Sequence, residues 1–153
     1  MFGEFLGESD NSINKNRVVI PAPFKAKILA SVSKTVVITI GKTNECIAVF
    51  PMDMWKVLYE ERLSSDDEEM KSRFDTMVKL ASEQEIEGPG RIKINDRLLN
   101  IANIKNNVKI VGEGHYFSLW DPDKYEEFIC QGVSSFKADS SNKDYNFKVR
   151  KVL

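Results

Sequence analysis

Short apolar runs alternate with polar turns along this chain, and their order predicts strands, a hairpin and helices. A β-branched strand stops at a proline, a short amphipathic helix follows, and two further β-branched runs flank a polar turn, as in a hairpin. A helix that starts at a proline comes next. In the first half these elements are the strand Arg17–Ile20, the helix Phe24–Ala30, the hairpin strands Thr35–Ile40 and Cys46–Phe50, and the helix from Pro51 to Leu63, with Trp55, Leu58 and Tyr59 inward.

The same order of elements returns in the second half of the chain. Arg17 matches Arg91 at an offset of 74 residues and Phe50 matches Trp120 at an offset of 70 residues, so the second copy is four residues shorter. Asn95 is the expected N-cap of the second short helix. Two copies are too few for a solenoid, but they can form a pseudo-twofold pair. Such a pair presents the same loop twice, which suits a repetitive partner.

A charged segment joins the two copies, and a polar segment follows them. We expect Ser64 or Ser65 to cap a connecting helix, with the acids Asp66–Glu69 in its first turn, where the helix dipole favours them. After Gly132 the chain is rich in Ser, Asp, Asn and Lys, so we expect a mobile tail. The inward positions of the connecting helix are predicted to be Met70, Phe74, Met77 and Val78. The predicted organisation is a first half at 5–63, a connecting helix at 64–82, a second half at 83–131 and a tail at 132–153.

Composition places the chain among soluble globular proteins. A hydrophobic fraction of 42% with 29% charged residues provides a core and a solvated surface, and no apolar run approaches the length of a membrane span. The N-terminus is too short and too acidic for a signal peptide. Cys46 and Cys130 lie in unrelated settings without metal-ligand spacing, which favours reduced thiols. We therefore expect a cytoplasmic protein without a membrane partner.

The charge of the chain is segregated, although its net value is only −1. Acids concentrate at 66–69 and 83–87, whereas the repeated loops carry Lys15, Arg17, Arg91 and Lys93. An arginine fork matches a guanine edge or a phosphate bidentately, and a lysine supplies a point charge for phosphates. The alternative is that each loop is only a strand-entry turn whose arginine forms a surface ion pair. Because both loops occur in register, we favour a nucleic-acid site.

The other chemically interesting residues do not form a catalytic constellation. His115 is the single histidine and lies in a predicted hairpin turn, so no histidine pair can bind a metal. Gly112 and Gly114 lie between strands rather than before a helix, which argues against a dinucleotide fingerprint. The serines lack a nucleophile elbow. We therefore expect no enzyme activity, no cofactor, no metal and no small-molecule substrate.

An ordered set of short motifs resembles the MraZ family over about residues 5 to 130. The motifs are Phe5-Leu6-Gly7-Glu8, a Lys-x-Arg loop, Val-Val-Ile-Pro-Ala, a hairpin ending Phe-Pro-x-x-x-Trp, and then Gly-Arg, Lys-Ile-Val-Gly and Leu-Trp-Asp. The resemblance implies an α+β fold, a pseudo-twofold, double-split β-barrel of two AbrB-like swapped-hairpin halves with flanking helices. It also implies a nucleoid-associated transcription regulator that forms rings. Such regulators bind direct repeats in double-stranded DNA upstream of the division and cell-wall gene cluster, usually including their own gene. Repression and activation both remain open.

The family motif, Asp-x-x-x-Arg with a glycine before the arginine, maps unequally onto the two copies. In the second copy it matches Glu87 to Arg91, with Gly90 before the arginine. The first loop is one residue shorter, so Asn14 takes the acid's place and Asn16 stands where glycine is usual. We expect the carboxylate, or Asn14, to orient the arginine. The predicted DNA-binding residues are Asn14, Lys15, Asn16, Arg17, Glu87, Gly90, Arg91 and Lys93.

Two further expectations concern assembly and the strength of DNA binding. Neither half is expected to close its barrel edge alone, and exposed edges are normally paired, so we expect a homo-oligomer, with a ring the favoured form. The apolar positions around Met70 and Phe74 would then contact neighbours. The incomplete first motif motivates the alternative function, an oligomeric scaffold of the same fold without tight DNA binding.

Overall fold

The computed structural model describes residues 4–42 and 45–140. The chain divides into two compact units, the first ending at Asp121 and the second beginning at Pro122. In the first unit the strands are β1 (Glu8–Asn14), β2 (Arg17–Val19), β3 (Thr35–Ile40), β4 (Cys46–Pro51), β5 (Ser82–Glu85), β6 (Arg91–Lys93), β7 (Asn107–Gly112) and β8 (Phe117–Trp120). Its helices are α1 (Ala22–Leu29), α2 (Met52–Ser64), α3 (Glu68–Leu80) and α4 (Asp96–Ile101), and the second unit contains α5 (Pro122–Ser140).

The eight strands form one antiparallel sheet in the order β5-β3-β4-β8-β7-β1-β2-β6, which curls into a nearly closed barrel. The halves interleave, because β1 pairs with β7, β2 with β6, and β4 with β8. The predicted α+β swapped-hairpin barrel is therefore confirmed. The two hairpins predicted from their β-branched runs are also present, as β3–β4 and β7–β8.

The strand register itself carries the pseudo-twofold symmetry. Arg17 lies opposite Lys93 and Val19 lies opposite Arg91. Adding the repeat offset of 74 to Arg17 and Val19 gives Arg91 and Lys93, so the symmetry exchanges these two pairs with each other. The central pair, Val18 opposite Ile92, therefore marks the axis of the ribbon formed by β2 and β6. The repeat seen in the sequence is thus a repeat of backbone pairing.

The core fills the space inside the sheet and beneath the short helices. Phe24 and Ile28 of α1 are buried, as their spacing predicts. Asn95 accepts a hydrogen bond from the Leu98 N–H and so caps α4, also as predicted. The largest fully buried side chains include Phe5, Phe117, Ile28, Ile38, Ile47, Ile92, Ile94, Leu98, Ile110 and Leu119.

The two end strands of the sheet meet within one chain through a side-chain contact. Strands β5 and β6 lie at the two ends of the sheet order. The side-chain amide of Gln84 on β5 bonds to the main chain of Lys93 on β6. Phe74 is also used within the chain, where it is buried against the rings of Trp55 and Tyr59. The expectation that Phe74 is free to contact neighbouring molecules was therefore wrong, whereas the homo-oligomer itself stays a prediction.

Several local predictions were wrong. Strands β1 and β5 were not predicted, because their sequences are polar and their pairing partners are distant in the chain. Asp67, rather than Ser64 or Ser65, caps α3 by accepting from the N–H groups of Glu69 and Met70, so only Glu68 and Glu69 lie in the first turn. Tyr59 and Val78 were predicted inward but are 50% and 44% exposed. Helix α2 has no fully buried residue.

Helix α5 continues past the composition change at Gly132 to Ser140. The predicted tail therefore begins within a helix at residues 132–140, where no proline interrupts the chain, and its mobility stays a prediction. The remainder of the predicted tail, 141–153, lies outside the described residues. Among the described helices, none is both long enough and apolar enough to span a membrane.

Candidate nucleic-acid interface

The ribbon formed by β2 and β6 has one face in the core and one face in solvent. Val18 and Ile92 at its centre are fully buried. Because side chains alternate along a strand, the flanking residues point outward. Arg17, Val19, Arg91 and Lys93 therefore share the outer face of this ribbon. The structure thus brings both predicted arginines and Lys93 to one side of the barrel.

Two cations stand directly opposite each other on this face. The N–H and C=O of Lys93 both bond to Gln84, which lies on the side away from β2. Arg17 and Lys93 are therefore a non-hydrogen-bonded pair, the kind in which facing side chains approach most closely. Like charges at such a position are unfavourable, by an amount comparable to the ~0.2–1 kcal/mol of favourable cross-strand pairs. The fold does not require two cations at these facing positions, so their placement points to a role other than stability.

The first loop is a tight hairpin turn. Asn14 pairs with Arg17, which leaves Lys15 and Asn16 as the two central residues, with φ of 53° and 65°. Positive φ at both central positions is the feature of a type I′ turn, in which asparagine is favoured. The Asn16 amide donates to the Ile94 carbonyl at 3.0 Å and to the Asp96 carboxylate at 2.7 Å. Asn16 therefore fixes the turn to the other half, while Lys15 stays exposed.

The second loop has one residue more. Glu87 and Arg91 pair through their main chains and enclose three residues, Gly88 to Gly90. Gly90 has a φ of 114°, and a Cβ placed there would lie 2.8 Å from Cδ of Lys25. The Lys25 ammonium also donates to the Pro89 carbonyl at 3.1 Å. The backbone conformation therefore favours glycine at position 90, and a Cβ there would also force the Lys25 side chain to shift.

The carboxylate of Glu87 contacts the arginine of the other copy. Its Oε1 lies 3.4 Å from Nε of Arg17, with the two side chains 41% and 34% exposed. Arg17 Nη1 also donates to the Lys15 carbonyl at 3.4 Å. Within the described residues, Arg91 has no ion pair or side-chain hydrogen bond. The expectation that Glu87 orients the arginine of its own loop was wrong, because the interleaved halves bring Glu87 beside Arg17.

Asn14 occupies the place in the first loop that Glu87 occupies in the second. Each is the residue that pairs with the arginine closing its turn, Asn14 with Arg17 and Glu87 with Arg91. The symmetric counterpart of the Glu87–Arg17 ion pair would therefore join Asn14 to Arg91. Asn14 is exposed, neutral and without a side-chain hydrogen bond in the described part of the chain. One arginine is thus held by a carboxylate and the other is not.

Sequence reasoning missed three polar residues that support this face. Lys25 packs on the second loop, and Gln84 and Asn11 bond to the outer ends of β6 and β2. The spacing of Asn11 and Gln84 in the sequence could have identified them as a repeated pair. Asn11 and Gln84 are 73 residues apart, which equals the offset from Asn14 to Glu87 upstream of the two loops.

The clear pKa shifts lie on other elements. Burial, with help from Glu113, raises the pKa of Tyr116 to about 12. Hydrogen bonding to Arg62, at 3.0 Å, lowers the pKa of the Asp75 carboxyl. Residues 4–42 and 45–140 contain no group of three or more His, Cys, Asp or Glu side chains that could hold a metal. The distinctive chemistry of the ribbon is therefore its cations.

The fold and this face together define a duplicated swapped-hairpin barrel with a cationic outer ribbon, the architecture that the resemblance implied. A family model described as "MraZ protein, putative antitoxin-like" matches residues 77–146. A protein of Natranaerobius thermophilus named Transcriptional regulator MraZ is 34% identical, over 87% of this chain and 92% of its own length. Proteins of the same name from Cytophaga hutchinsonii and Pseudomonas fluorescens are 29% and 27% identical, over 88% and 92% of this chain and 90% and 95% of their own lengths. The chain belongs to the MraZ family.

Proposed function

We propose that this protein is a DNA-binding transcriptional regulator that contacts double-stranded DNA with the outer face of the β2–β6 ribbon. The observation that carries the proposal is the placement of Arg17 opposite Lys93 with Arg91 on the same face. An anionic partner would relieve the repulsion between these cations. The printed names of the relatives, all transcriptional regulators, support the same function.

The geometry of the ribbon suits the major groove of DNA. That groove admits a two-stranded β-ribbon and displays guanine acceptors that an arginine fork matches bidentately. Arg91, without a carboxylate partner in the described structure, is our candidate for a base contact. Lys15 and Lys93 are candidates for phosphate contacts, while Asn16 and Gly90 shape the loops that present them. Arg17 is expected to bind in an orientation set by Glu87.

The finer function follows the family resemblance. We propose that the target is a set of short direct repeats upstream of the division and cell-wall gene cluster and of the protein's own gene. A homo-oligomer, with a ring the favoured form, would engage several repeats together and so multiply the affinity of each contact. The oligomeric scaffold without tight DNA binding is the competing function, since Glu87 partly neutralises one of the two arginines.

Fluorescence anisotropy with the purified full chain tests the proposal. The probe is a duplex fragment from upstream of its own reading frame, and the control is a scrambled duplex of equal length and composition. We expect binding of the upstream fragment at least about tenfold tighter, a conservative threshold for a specific DNA-binding protein. Equal, weak binding of both fragments would favour the scaffold function.

A further inference from the structure

We propose that Asn11 and Gln84 form a duplicated pair of amide clasps, positioning residues that hold β2 and β6 in place for DNA binding. This inference rests on the proposed function. Each clasp is a side-chain amide that bonds to the main chain at the outer end of a three-residue strand. The first clasp is Asn11 with Val19, and the second clasp is Gln84 with Lys93.

The second clasp imitates a neighbouring strand. Gln84 Nε2 donates to the Lys93 carbonyl at 2.7 Å, and the Lys93 N–H donates to Gln84 Oε1 at 2.9 Å. These are the two bonds that one residue of a neighbouring antiparallel strand would make through its own N–H and C=O. Strand β6 has only three residues and lies at the end of the sheet order, so no main-chain strand pairs with this side of Lys93.

The first clasp is the symmetric counterpart of the second. Asn11 Nδ2 donates to the Val19 carbonyl at 2.9 Å. Val19 and Lys93 are related by the offset of 74, and Asn11 and Gln84 by the offset of 73 that applies before the longer second loop. Asn11 is one methylene shorter and makes one bond to the strand, while its oxygen accepts from Ser9. The recurrence of an amide at both positions shows that the clasp belongs to the repeated architecture.

The clasps stand where each hairpin forks. Strand β1 pairs with β2 only at Ile13 and Asn14, whereas its preceding residues, Glu8 to Ser12, pair with β7 on the other side. Likewise β5 pairs with β3 and not with β6. Each fork leaves the outer end of a short strand without a main-chain neighbour, and the amide spans the gap. Because these bonds are accessible to water, their expected effect is on the position of the strand ends more than on global stability.

Position at these strand ends matters for the proposed DNA contact. Lys93 faces Arg17 across the ribbon, and Val19 faces Arg91. A frayed β6 would release Lys93 and loosen the cationic face, and each loosened side chain would have to be ordered again on binding. The clasps therefore act through the cations and not by touching DNA themselves.

The test uses the full chain with Gln84→Met, which keeps the length of the side chain and removes both hydrogen bonds. Ser82→Ala, an exposed substitution on the same strand, is the matched control. One readout is independent of DNA, the hydrogen-exchange rate of the Lys93 amide. We expect it to rise about fivefold in Gln84→Met, as for the loss of a bond worth ~1 kcal/mol. The second readout is affinity for the upstream duplex fragment, which we expect to fall about tenfold while the melting temperature changes little.

The outcomes separate this inference from the proposed function. Faster exchange together with weaker binding, and no change in Ser82→Ala, supports the clasp. Unchanged exchange, or faster exchange with unchanged affinity, overturns it even when the wild-type protein binds DNA. Failure of the wild-type protein to bind the fragment defeats the proposed function instead, and the inference with it. If Gln84→Met does not fold, Asn11→Ala is tested with Ser12→Ala as control. The exchange readout is then the Ile20 amide, which shares a peptide group with the Val19 carbonyl and donates to Gly90 across the ribbon. The same pair of outcomes, in exchange and in DNA affinity, decides the matter through the first clasp.

Discussion

The two loops that present Arg17 and Arg91 follow related backbone paths but carry different chemistry. The first is a two-residue turn with asparagines at 14 and 16, and the second is a three-residue loop with Glu87 and Gly90. In each, the main chain just before the arginine accepts from an isoleucine N–H of the other half, Asn16 from Ile94 and Gly90 from Ile20. The symmetry is therefore kept by the backbone and broken by the side chains.

The difference shows that the acid and the arginine of the motif pair between the two copies and not within one copy. Glu87 precedes Arg91 in sequence, yet its carboxylate holds Arg17. Asn14, in the corresponding place, supplies no carboxylate to Arg91. One arginine is consequently oriented and partly neutralised, whereas the other keeps its full charge. We expect the two arginines to contribute unequally to DNA binding, and the substitutions in the two loops described below break or sharpen that inequality.

The largest expected effect comes from Gly90→Ala. The φ of 114° disfavours any residue with a Cβ, and that Cβ would lie 2.8 Å from Lys25. We expect the free energy of unfolding to fall by about 2–3 kcal/mol and DNA affinity to fall with it. Urea denaturation measures the first quantity. Gly132→Ala, in a helix with open space around the position, is the control, and it should be neutral or slightly stabilising. An equally stable Gly90→Ala protein would contradict the geometry of the second loop.

The next effect distinguishes the two arginines directly. We expect Arg91→Ala to weaken binding of the upstream fragment about 10- to 100-fold, the range of a lost bidentate base contact of ~1–3 kcal/mol. Arg17→Ala should cost less, since Glu87 already offsets part of the Arg17 charge. Anisotropy titrations of both variants, with circular dichroism to check folding, make the comparison. Equal losses would mean that the ion pair does not differentiate the loops.

The structural features described above differ in how far the sequence alone could predict them. The strands Thr35–Ile40 and Cys46–Phe50 were predictable because β-branched runs and a polar turn are local signals. The cap at Asn95 was predictable for the same reason. Strand β1, with its polar alternation, was not, since its stability comes from pairing with a strand about a hundred residues away. The contact of Glu87 with Arg17 could not be predicted from the sequence either, because it forms only when the two halves interleave.

A smaller effect follows from moving the carboxylate. Asn14→Glu would give Arg91 the partner that Arg17 already has, and Glu87→Gln would remove the partner of Arg17. Exposed ion pairs contribute ~0.2–1 kcal/mol, so we expect changes of a few fold in affinity. Asn14→Glu should weaken binding and bring the losses of Arg91→Ala and Arg17→Ala closer together. Measuring both arginine substitutions in the Asn14→Glu background tests this, and an unchanged difference between them would argue against the symmetric geometry.

The smallest expected effect lies on helices α2 and α3, outside the ribbon. The pKa of Asp75 is lowered by its hydrogen bond to Arg62, so the pair stabilises the fold above the ordinary Asp pKa of 3.8. That contribution is lost as the pH falls through the lower folded-state pKa. Asp75→Asn should therefore be slightly less stable than wild type near neutral pH, with the difference vanishing in acid. Thermal melts at several pH values measure it, and DNA affinity near neutral pH should not change.

The central claim is that the outer face of the β2–β6 ribbon contacts DNA. Hydrogen–deuterium exchange of the full chain, with and without the upstream duplex fragment, tests it most directly. We predict that DNA slows exchange at residues 14–19 and 87–93 and leaves α2 and α3 unchanged. Slower exchange confined to α2 and α3, with the two loops unaffected by saturating DNA, would contradict the account.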